Sequence, residues 1–328
     1  MTESKPLVPS IAAAQCHGSP LAAELDASLG SALQSMQGAV HRGFVLAPQM
    51  HLRIGGAADW FVEPFDEADV QLIVRTCREL GIPLHILGGG SNVVVADAGV
   101  RGVVMYLGHL NRLARADNRI TVGAGATLPS VLRATKDAGL AGLEKLTGIP
   151  AEVGGAVAMN AGTRVGETFE YLTSITVVDA NGQLAVRARQ DLSPSYRHGN
   201  LGEAVVVQAT FELEPDDPDA IFERFRESLQ ARNASQPVTQ RSVGCVFQNP
   251  AGDAAGRLIE AAGCKGLAVG GVRVSDKHAN YFVKTDDSGS AGDFVRLMHE
   301  VAGRVRDKFA VALEPEVKFW GFAEGENS

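Results

Sequence analysis

The residues best suited to chemistry lie in a glycine-rich segment that follows a predicted strand. This first glycine segment reads Ile86-Leu87-Gly88-Gly89-Gly90-Ser91-Asn92. Consecutive glycines let backbone amides approach a pyrophosphate closely, and the serine and asparagine add side-chain donors. The segment is not GxGxxG and no acidic residue follows at the expected spacing, which argues against a Rossmann dinucleotide site. An ordinary tight turn is the alternative that the residues leave open.

A second glycine segment covers residues 142–163, with the sequence GLEKLTGIPAEVGGAVAMNAGT. It has too many glycines for a stable helix, yet it is too apolar for a solvated loop. A backbone wrapped closely around a bound cofactor would explain both properties. The alternative is a close, glycine-assisted packing of two domains. The chain has 37 glycines among 328 residues, well above the usual share of about 7%, and these two segments hold much of the excess.

Composition limits the classes of protein that this chain can belong to. An apolar fraction of 45% is enough for one or two hydrophobic cores, and the length suggests two domains. No stretch reaches the roughly 18 uninterrupted apolar residues of a membrane span. The net charge of −8 leaves no basic footprint for nucleic acid, although a basic pocket for an anionic small molecule is compatible with it. We therefore expect no membrane and no nucleic-acid partner.

The cysteines indicate a reducing compartment. Cys16, Cys77, Cys245 and Cys264 include no CxxC pair, which argues against a structural zinc site and a thioredoxin-like motif. Four cysteines are also too few for a disulfide scaffold in a chain of this length. The N-terminal residues lack the basic start and long apolar core of a signal peptide. We expect a cytoplasmic protein with no bound metal.

Hydrophobic periodicity predicts the elements that must position the first glycine segment. Apolar residues at helical spacing predict a helix over 67–80, and Gly81 stands where a left-handed residue ends it. Apolar runs predict strands over 82–87, 93–95 and 103–107. Helix, strand, glycine loop and strand together form an α/β pattern.

The rest of the chain is predicted to contain more strands and four helices, three of them in its last third. Asn181-Gly182 lies between two strand-like runs and is a strong hairpin signal. An acidic stretch with two prolines, 212–218, is the candidate linker. The predicted strands are 120–123, 171–179, 183–187, 204–211, 281–283 and 311–319, and the predicted helices are 128–138, one beginning near Ile221, 254–262 and one that ends near Phe309.

Taken in order, the motifs resemble the UDP-N-acetylenolpyruvoylglucosamine reductase family over roughly residues 45–322. Each motif is weak alone, but the ordered set is highly specific. Besides the first glycine segment, the motifs are His51-Leu52-Arg53-Ile54-Gly55-Gly56, Gly142-Leu143-Glu144, Gly148-Ile149-Pro150, Val153-Gly154-Gly155-Ala156, Met159-Asn160-Ala161-Gly162, Tyr196-Arg197, Gly244-Cys245-Val246-Phe247-Gln248-Asn249, Ala255-Gly256-Arg257-Leu258-Ile259-Glu260, Val274-Ser275-Asp276-Lys277-His278-Ala279-Asn280 and Leu313-Glu314-Pro315-Glu316-Val317.

The resemblance implies an α+β fold in two domains. The first is an FAD-binding domain of the vanillyl-alcohol-oxidase or PCMH type, made of two α/β subdomains. The second is a C-terminal α+β substrate-binding domain. We expect a flexible N-terminal tail over 1–40, the FAD-binding domain over 41–214, the substrate-binding domain over 215–322 and a short tail over 323–328. We also expect a monomer.

The resemblance further implies FAD as cofactor, NADPH as hydride donor and a UDP-linked enolpyruvyl amino sugar as substrate. The implied reaction reduces the enolpyruvyl group to give UDP-N-acetylmuramate in peptidoglycan synthesis. The implied substrate-binding residues are Tyr196, Gly244, Asn249, His278 and Asn280. The implied cofactor-binding residues are Arg53, Leu87, Gly88, Gly89, Gly90, Ser91, Asn92, Gly125, Thr147, Gly148, Pro150, Gly154, Gly155, Asn160, Gly162 and Val207.

Three residues match the family's active-site positions. Arg197 and Glu316 match its arginine and glutamate, whereas Cys245 stands where the family usually has the serine that donates a proton. A guanidinium binds a carboxylate in a bidentate way and keeps its proton, so Arg197 suits the charge that develops during the reduction. A thiol, with an ordinary pKa of about 8.5, is chemically plausible as the donor. The short connection between Asn249 and Ala255 corresponds to the short-loop form of the family.

Without the resemblance, each of these residues has a plainer interpretation. A lone cysteine is most often a small buried hydrophobe, and Arg197 and Glu316 would be read as surface charges. His278 and Asn280 could form a turn that leads into a strand. At the level of function, the alternatives are another flavin-dependent oxidase on the same cofactor fold, or an inactive nucleotide-sugar-binding homologue. A yellow protein would count against the inactive binder, and NADPH oxidation that needs the enolpyruvyl sugar would count against the oxidase.

Overall fold

The computed structural model describes residues 20–323 and 325–326. The helices within these residues are α1 (Pro20–Leu33), α2 (Glu67–Leu80), α3 (Leu128–Asp137), α4 (Val153–Ala158), α5 (Pro218–Ser235), α6 (Ala255–Ala261) and α7 (Ala291–Phe309). The strands are β1 (Ala39–Val45), β2 (Ala57–Glu63), β3 (Leu84–Leu87), β4 (Val93–Val95), β5 (Val100–Tyr106), β6 (Leu113–Ala116), β7 (Arg119–Gly123), β8 (Leu140–Ala141), β9 (Leu172–Val178), β10 (Leu184–Ala188), β11 (Val205–Glu212), β12 (Glu214–Pro215), β13 (Ser242–Cys245), β14 (Ala268–Val269), β15 (Val272–Val274), β16 (Tyr281–Lys284) and β17 (Lys318–Trp320).

The first sheet carries the first glycine segment at the end of β3. Its strand order is β1-β2-β5-β3, with β2, β5 and β3 parallel and β1 antiparallel to β2. Helix α2 begins at Asp66, whose side chain accepts from the Asp69 amide, and ends at Gly81, which has a φ of 64°. Its apolar face, including Ile73 and Cys77, is buried. The predicted helix over 67–80 is therefore confirmed.

The second sheet is antiparallel, in the order β10-β9-β11-β7-β6. The predicted hairpin is confirmed, because β9 and β10 pair around a turn in which Gly182 has a φ of 75°. The two sheets share one hydrophobic core, in which Val103 and Met105 of the first sheet pack with Ile175 and Val177 of the second. This shared core fixes the relative position of the two glycine segments.

A third sheet, in the order β13-β16-β15-β14, forms its own core with α6 and α7. Phe282 of β16 packs against Phe294 of α7, with ring centroids 5.3 Å apart. The chain then returns to the first half of the molecule, where β17 pairs in parallel with β4. That return brings the segment before β17 next to the first glycine segment.

The structure differs from the predicted tail over 1–40 in its second half. Residues 20–33 form α1, and Leu29 and Leu33 are buried in the shared core. The Trp60 indole N–H donates to the Asp26 carboxylate at 2.8 Å, which ties α1 to β2. Leu25, Leu29 and Leu33 recur at helical spacing, so the sequence carries a helix signal here, which the surrounding small residues weaken. Residues 1–19 lie outside the described part of the chain, as do 324, 327 and 328 of the predicted C-terminal tail.

Two further segments differ from their prediction. The predicted strand over 311–319 is reduced to Lys318–Trp320, preceded by an isolated antiparallel bridge between Pro315 and Phe247. The second glycine segment contains a short helix, α4, despite its glycines. Gly154 allows that helix to lie against Ala124, where an added methyl group would come within 2.9 Å of the Ala124 Cβ atom. Tertiary packing thus outweighs the weak helix propensity of glycine.

Helix α5 lies against the half of the molecule that precedes it. Arg224 on α5 forms an ion pair with the buried carboxylate of Glu144, at 2.9 Å. Phe225 also packs against the shared core. The boundary between the FAD-binding and substrate-binding domains, at residues 214 and 215, stays a prediction. Among the described residues, no helix is long and apolar enough to cross a bilayer.

Candidate active site

The two glycine segments face each other across a narrow gap beside the end of β3. A methyl group built on Gly89 would lie 3.5 Å from the carbonyl oxygen of Pro150, and one built on Gly88 would lie 3.8 Å from the Cα atom of Gly155. The lack of side chains therefore keeps this gap, which we call the glycine cradle, open between two backbones. Such a surface can admit a diphosphate close to the main chain.

The HLRIGG motif holds the first side of the glycine cradle in place. The His51 amide donates to the Gly90 carbonyl oxygen at 3.0 Å. Gly90 has a φ of 64°, and a methyl group there would lie 2.5 Å from the Gln49 carbonyl oxygen. Arg53 lines an open cavity of ≈ 420 Å³ that lies between this motif, Gly89 and residues 238–241. This cavity is thus bounded by both halves of the chain.

The predicted catalytic residues come together beside this region, although they are far apart in sequence. The Arg197 Nε atom lies 3.4 Å from Glu316 Oε1, and both side chains are largely buried, at 19% and 15% exposure. Arg197 also donates from Nη2 to the Gly162 carbonyl oxygen at 3.0 Å. The side-chain amide of Asn92 donates to the Glu316 carbonyl oxygen at 3.2 Å. The pair is therefore held by both glycine segments.

Cys245 completes this group from the third sheet. Its pKa is raised to about 12, chiefly by burial and further by Glu316, whereas Arg197 and Arg232 lower it. Burial also raises the pKa of Glu316, with Arg197 and Lys318 acting in the opposite direction. The Cys245 thiol is consequently protonated at neutral pH. A protonated acid, a fixed guanidinium and a carboxyl group thus lie together beside the first glycine segment.

Comparison with known proteins identifies the family of this chain. A family model for the C-terminal domain of UDP-N-acetylenolpyruvoylglucosamine reductase matches residues 236–320, and a model described as an FAD binding domain matches residues 58–186. The reductase of Moorella thermoacetica is 40% identical over 270 residues, covering 82% of this chain and 89% of that protein. The reductase of Synechococcus sp. strain WH7803 is 42% identical over 278 residues, covering 82% of this chain and 89% of that protein.

A solved structure agrees with these sequence matches. The reductase of Thermus caldophilus matches this fold with a TM-score of 0.74 at 34% identity, covering 87% of this chain and 99% of that one. The chain belongs to the UDP-N-acetylenolpyruvoylglucosamine reductase family. The predicted family is therefore confirmed, and with it the α+β fold with an FAD-binding domain and FAD as cofactor.

Within this family member, some predicted ligand residues have structural tasks. The buried Asn160 donates to Glu167 at 2.7 Å and to the Ser195 carbonyl oxygen at 3.3 Å. Asn280 uses both ends of its amide on the backbone of Phe247, at 2.9 and 2.7 Å. Their side chains shape the loops that carry Arg197 and Cys245. A direct contact of either side chain with a ligand stays a prediction.

Other predicted cofactor residues form the floor of the glycine cradle. The Val207 carbonyl oxygen accepts from the Ala124 amide at 2.9 Å, and Ala124 in turn supports Gly154. A methyl group on Gly125 would collide with the Leu107 carbonyl, so this glycine permits close backbone packing. Leu87 is buried, and Thr147 donates to the Glu144 carbonyl oxygen. These residues support the cradle from behind.

The predicted substrate residues divide between the rim and the interior. Tyr196 is 45% exposed, its hydroxyl accepts from Asn249 at 3.3 Å, and Arg197 lies over its ring. Gly244 faces Ser91, with a φ of 78°. The pKa of His278 is lowered, mainly by burial and then by the charge of Arg164. The rim residues therefore face the open side of the site.

Sequence reasoning missed two residues that face Cys245. Tyr281 lies directly opposite Cys245 across the β13–β16 pair, and its hydroxyl donates to Gln236 Oε1 at 3.0 Å. The Nε atom of Arg232 is buried without a hydrogen-bond partner among the described residues. A methyl group on Gly148, which has a φ of 80°, would collide with the Arg232 side chain. The position of Tyr281 next to the His278–Asn280 motif was the available signal.

Proposed function

We infer that this protein is an FAD-dependent UDP-N-acetylmuramate dehydrogenase that acts with NADPH. Its substrate is the UDP-linked enolpyruvyl amino sugar of peptidoglycan synthesis. The observation that carries this function is the convergence of Arg197, Glu316 and Cys245 beside the glycine cradle, in a chain of the reductase family. A cytoplasmic monomer is the setting that we propose for it.

The residues present fit an FAD molecule. The glycine cradle leaves a gap that single methyl groups would narrow, and a buried carboxyl oxygen of Glu152, near Gly88, has no partner among the described residues. We propose that Gly88, Gly89, Gly148 and Pro150 hold the cofactor's diphosphate and adjacent groups. When bound, FAD supplies hydride transfer from NADPH to the terminal carbon of the enolpyruvyl group.

We propose that Arg197 stabilises the negative charge that develops on the substrate carboxylate and its neighbouring carbon. Its guanidinium is oriented in advance by Gly162 and Glu316, so little reorganisation is needed during the reaction. A fixed cation in a site with little water acts most strongly on charge that appears in the transition state. Glu316 holds the Arg197 guanidinium in that orientation, and its own carboxyl group lies beside the same substrate atoms.

Cys245 then donates the proton to the carbon beside the carboxylate. The S–H bond breaks, a C–H bond forms, and the electron pair stays on sulfur as a thiolate. The raised pKa of Cys245 keeps the donor protonated before the step and favours its reprotonation by water afterwards. Arg197 and Arg232 lie close enough to stabilise the transient thiolate electrostatically.

A single assay separates this function from its alternatives. The purified protein should be yellow, and it should oxidise NADPH only when the UDP-linked enolpyruvyl sugar is present. The sugar product should gain two hydrogen atoms. A flavin oxidase would instead consume oxygen with an alcohol substrate, and an inactive binder would take up the sugar without oxidising NADPH. Either of those results would contradict the proposed function.

A further inference from the structure

Glu152 places a buried carboxyl group at the glycine cradle. The residue is 4% exposed and lies between Ala151 and the start of α4. Its Oε1 atom accepts a hydrogen bond of 2.9 Å from the Tyr106 hydroxyl. Its Oε2 atom is buried and has no partner among the described residues. A methyl group built on Gly88 would lie 3.8 Å from that oxygen, so Oε2 borders the gap between the glycine segments.

An ionised carboxylate would be costly at this place. A buried charge without a cation is strongly disfavoured, and a bound diphosphate would add repulsion. Burial raises the pKa of Glu152 to about 7, while the hydrogen bond from Tyr106 acts in the opposite direction. Glu63 lies beyond Tyr106 and raises the pKa of the Tyr106 phenol. The Oε2 atom of Glu63 in turn lies 3.4 Å from His41 Nε2. The surroundings thus favour a neutral carboxyl group.

We propose that Glu152 binds FAD as a neutral carboxylic acid, donating a hydrogen bond from Oε2 to an acceptor oxygen of the cofactor. The inference rests on the proposed function, because it assumes that FAD occupies the glycine cradle. A protonated carboxyl can accept from Tyr106 at Oε1 and donate from Oε2 at the same time. FAD has acceptor oxygens on its diphosphate, its ribityl chain and its flavin carbonyls, and each of these can accept that hydrogen bond.

This role couples FAD binding to the uptake of a proton. FAD binds the protonated form, so affinity is constant below the pKa of the free protein and falls above it. Linkage predicts that the Kd rises about tenfold per pH unit above pH 7, or roughly 30-fold between pH 6 and 8.5. In Glu152→Gln, the amide nitrogen donates at every pH and the amide oxygen still accepts from Tyr106. Its Kd should therefore change little with pH.

The experiment is a titration of FAD into deflavinated full-length protein between pH 6 and 9, followed by flavin fluorescence. We expect the rise in Kd for the wild type and less than about a threefold change for Glu152→Gln. Glu152→Ala should bind weakly across the whole range. Tyr106→Phe removes the hydrogen bond that lowers the pKa, so the midpoint should move to higher pH. The exposed Glu203→Gln is the matched control and should behave as wild type.

Three results would overturn the inference: a wild-type Kd that does not depend on pH, a Kd that falls as pH rises, or a Glu152→Gln protein that loses FAD. The second would mean that a carboxylate accepts a hydrogen bond from the cofactor. If Glu152→Gln fails to fold by circular dichroism, the wild-type and Tyr106→Phe profiles still decide. A protein that binds no FAD at any pH would contradict the proposed function itself, whereas pH-independent binding would leave that function intact.

Discussion

The glycine cradle and the group around Cys245 use opposite means to handle their ligands. The cradle is built from backbone, and its essential property is that side chains are missing at Gly88 and Gly89. The group around Cys245 is built from side chains, brought together by β13, the connection between β10 and β11, and the returning C-terminal segment before β17. A change in the cradle should therefore abolish cofactor binding altogether. A change in the group around Cys245 should leave a yellow, FAD-containing protein that fails at a single step of the reaction.

The largest expected effect is on the cradle. Gly89→Val would place its branched side chain in the gap, since even its first carbon would lie 3.5 Å from the Pro150 carbonyl oxygen. That distance is an ordinary contact, so the fold should survive while FAD is excluded. We expect a protein with the wild-type circular dichroism spectrum but almost no bound flavin. Gly303→Ala, on α7 with open space around it, is the control and should retain its flavin.

Prediction from sequence also differs between the two regions. Each side of the cradle is one contiguous glycine-rich segment, so the sequence alone points to it, with a tight turn or close domain packing as the alternative to a cofactor site. Arg197, Cys245 and Glu316 have ordinary interpretations when taken singly, and only the resemblance joined them. The leucines of α1 mark an apolar face, but what that face packs against, and that Tyr281 faces Cys245, depend on long-range packing. For the same reason, the structural tasks of Asn160 and Asn280 become visible only in the fold.

Within the group around Cys245, the largest effect on turnover is expected for the proton donor. Cys245→Ala removes the acid and should lower turnover by roughly 10²–10⁴, whereas Cys245→Ser should keep substantial activity. Both variants should still bind FAD, since Cys245 lies outside the cradle. Alkylation should inactivate the wild type slowly at neutral pH and faster as the pH rises, because the raised pKa of Cys245 leaves little reactive thiolate, and substrate should protect it. Equal sensitivity of Cys245→Ser would place the reactive thiol elsewhere, and wild-type turnover by Cys245→Ala would assign the proton to another donor.

Variants of Arg197 test whether the group around Cys245 acts on only one of the two half-reactions. Arg197→Ala should accept hydride from NADPH at the normal rate and transfer it to the sugar about 10²–10³ times more slowly. Stopped-flow absorbance of the flavin resolves the two steps. Arg197→Lys keeps the charge but loses the bidentate geometry, so it should recover only part of the rate. A normal rate of flavin reoxidation in Arg197→Ala would remove this residue from the mechanism.

The smallest expected effect concerns the hydroxyl of Tyr281, which faces the thiol without being the acid. When a thiolate forms, this hydroxyl can turn from Gln236 and donate to the sulfur, which lowers the pKa of Cys245 against the larger effect of burial. Tyr281→Phe should therefore raise that pKa further and slow turnover by about 2–10-fold, the value of one ordinary hydrogen bond. Flavin content and the rate of flavin reduction by NADPH should stay at wild-type values, which a general structural defect would not allow. In Cys245→Ser, where no thiolate forms, the same change should slow turnover less. An equal loss in both backgrounds would mean that Tyr281 acts on another group, such as Glu316.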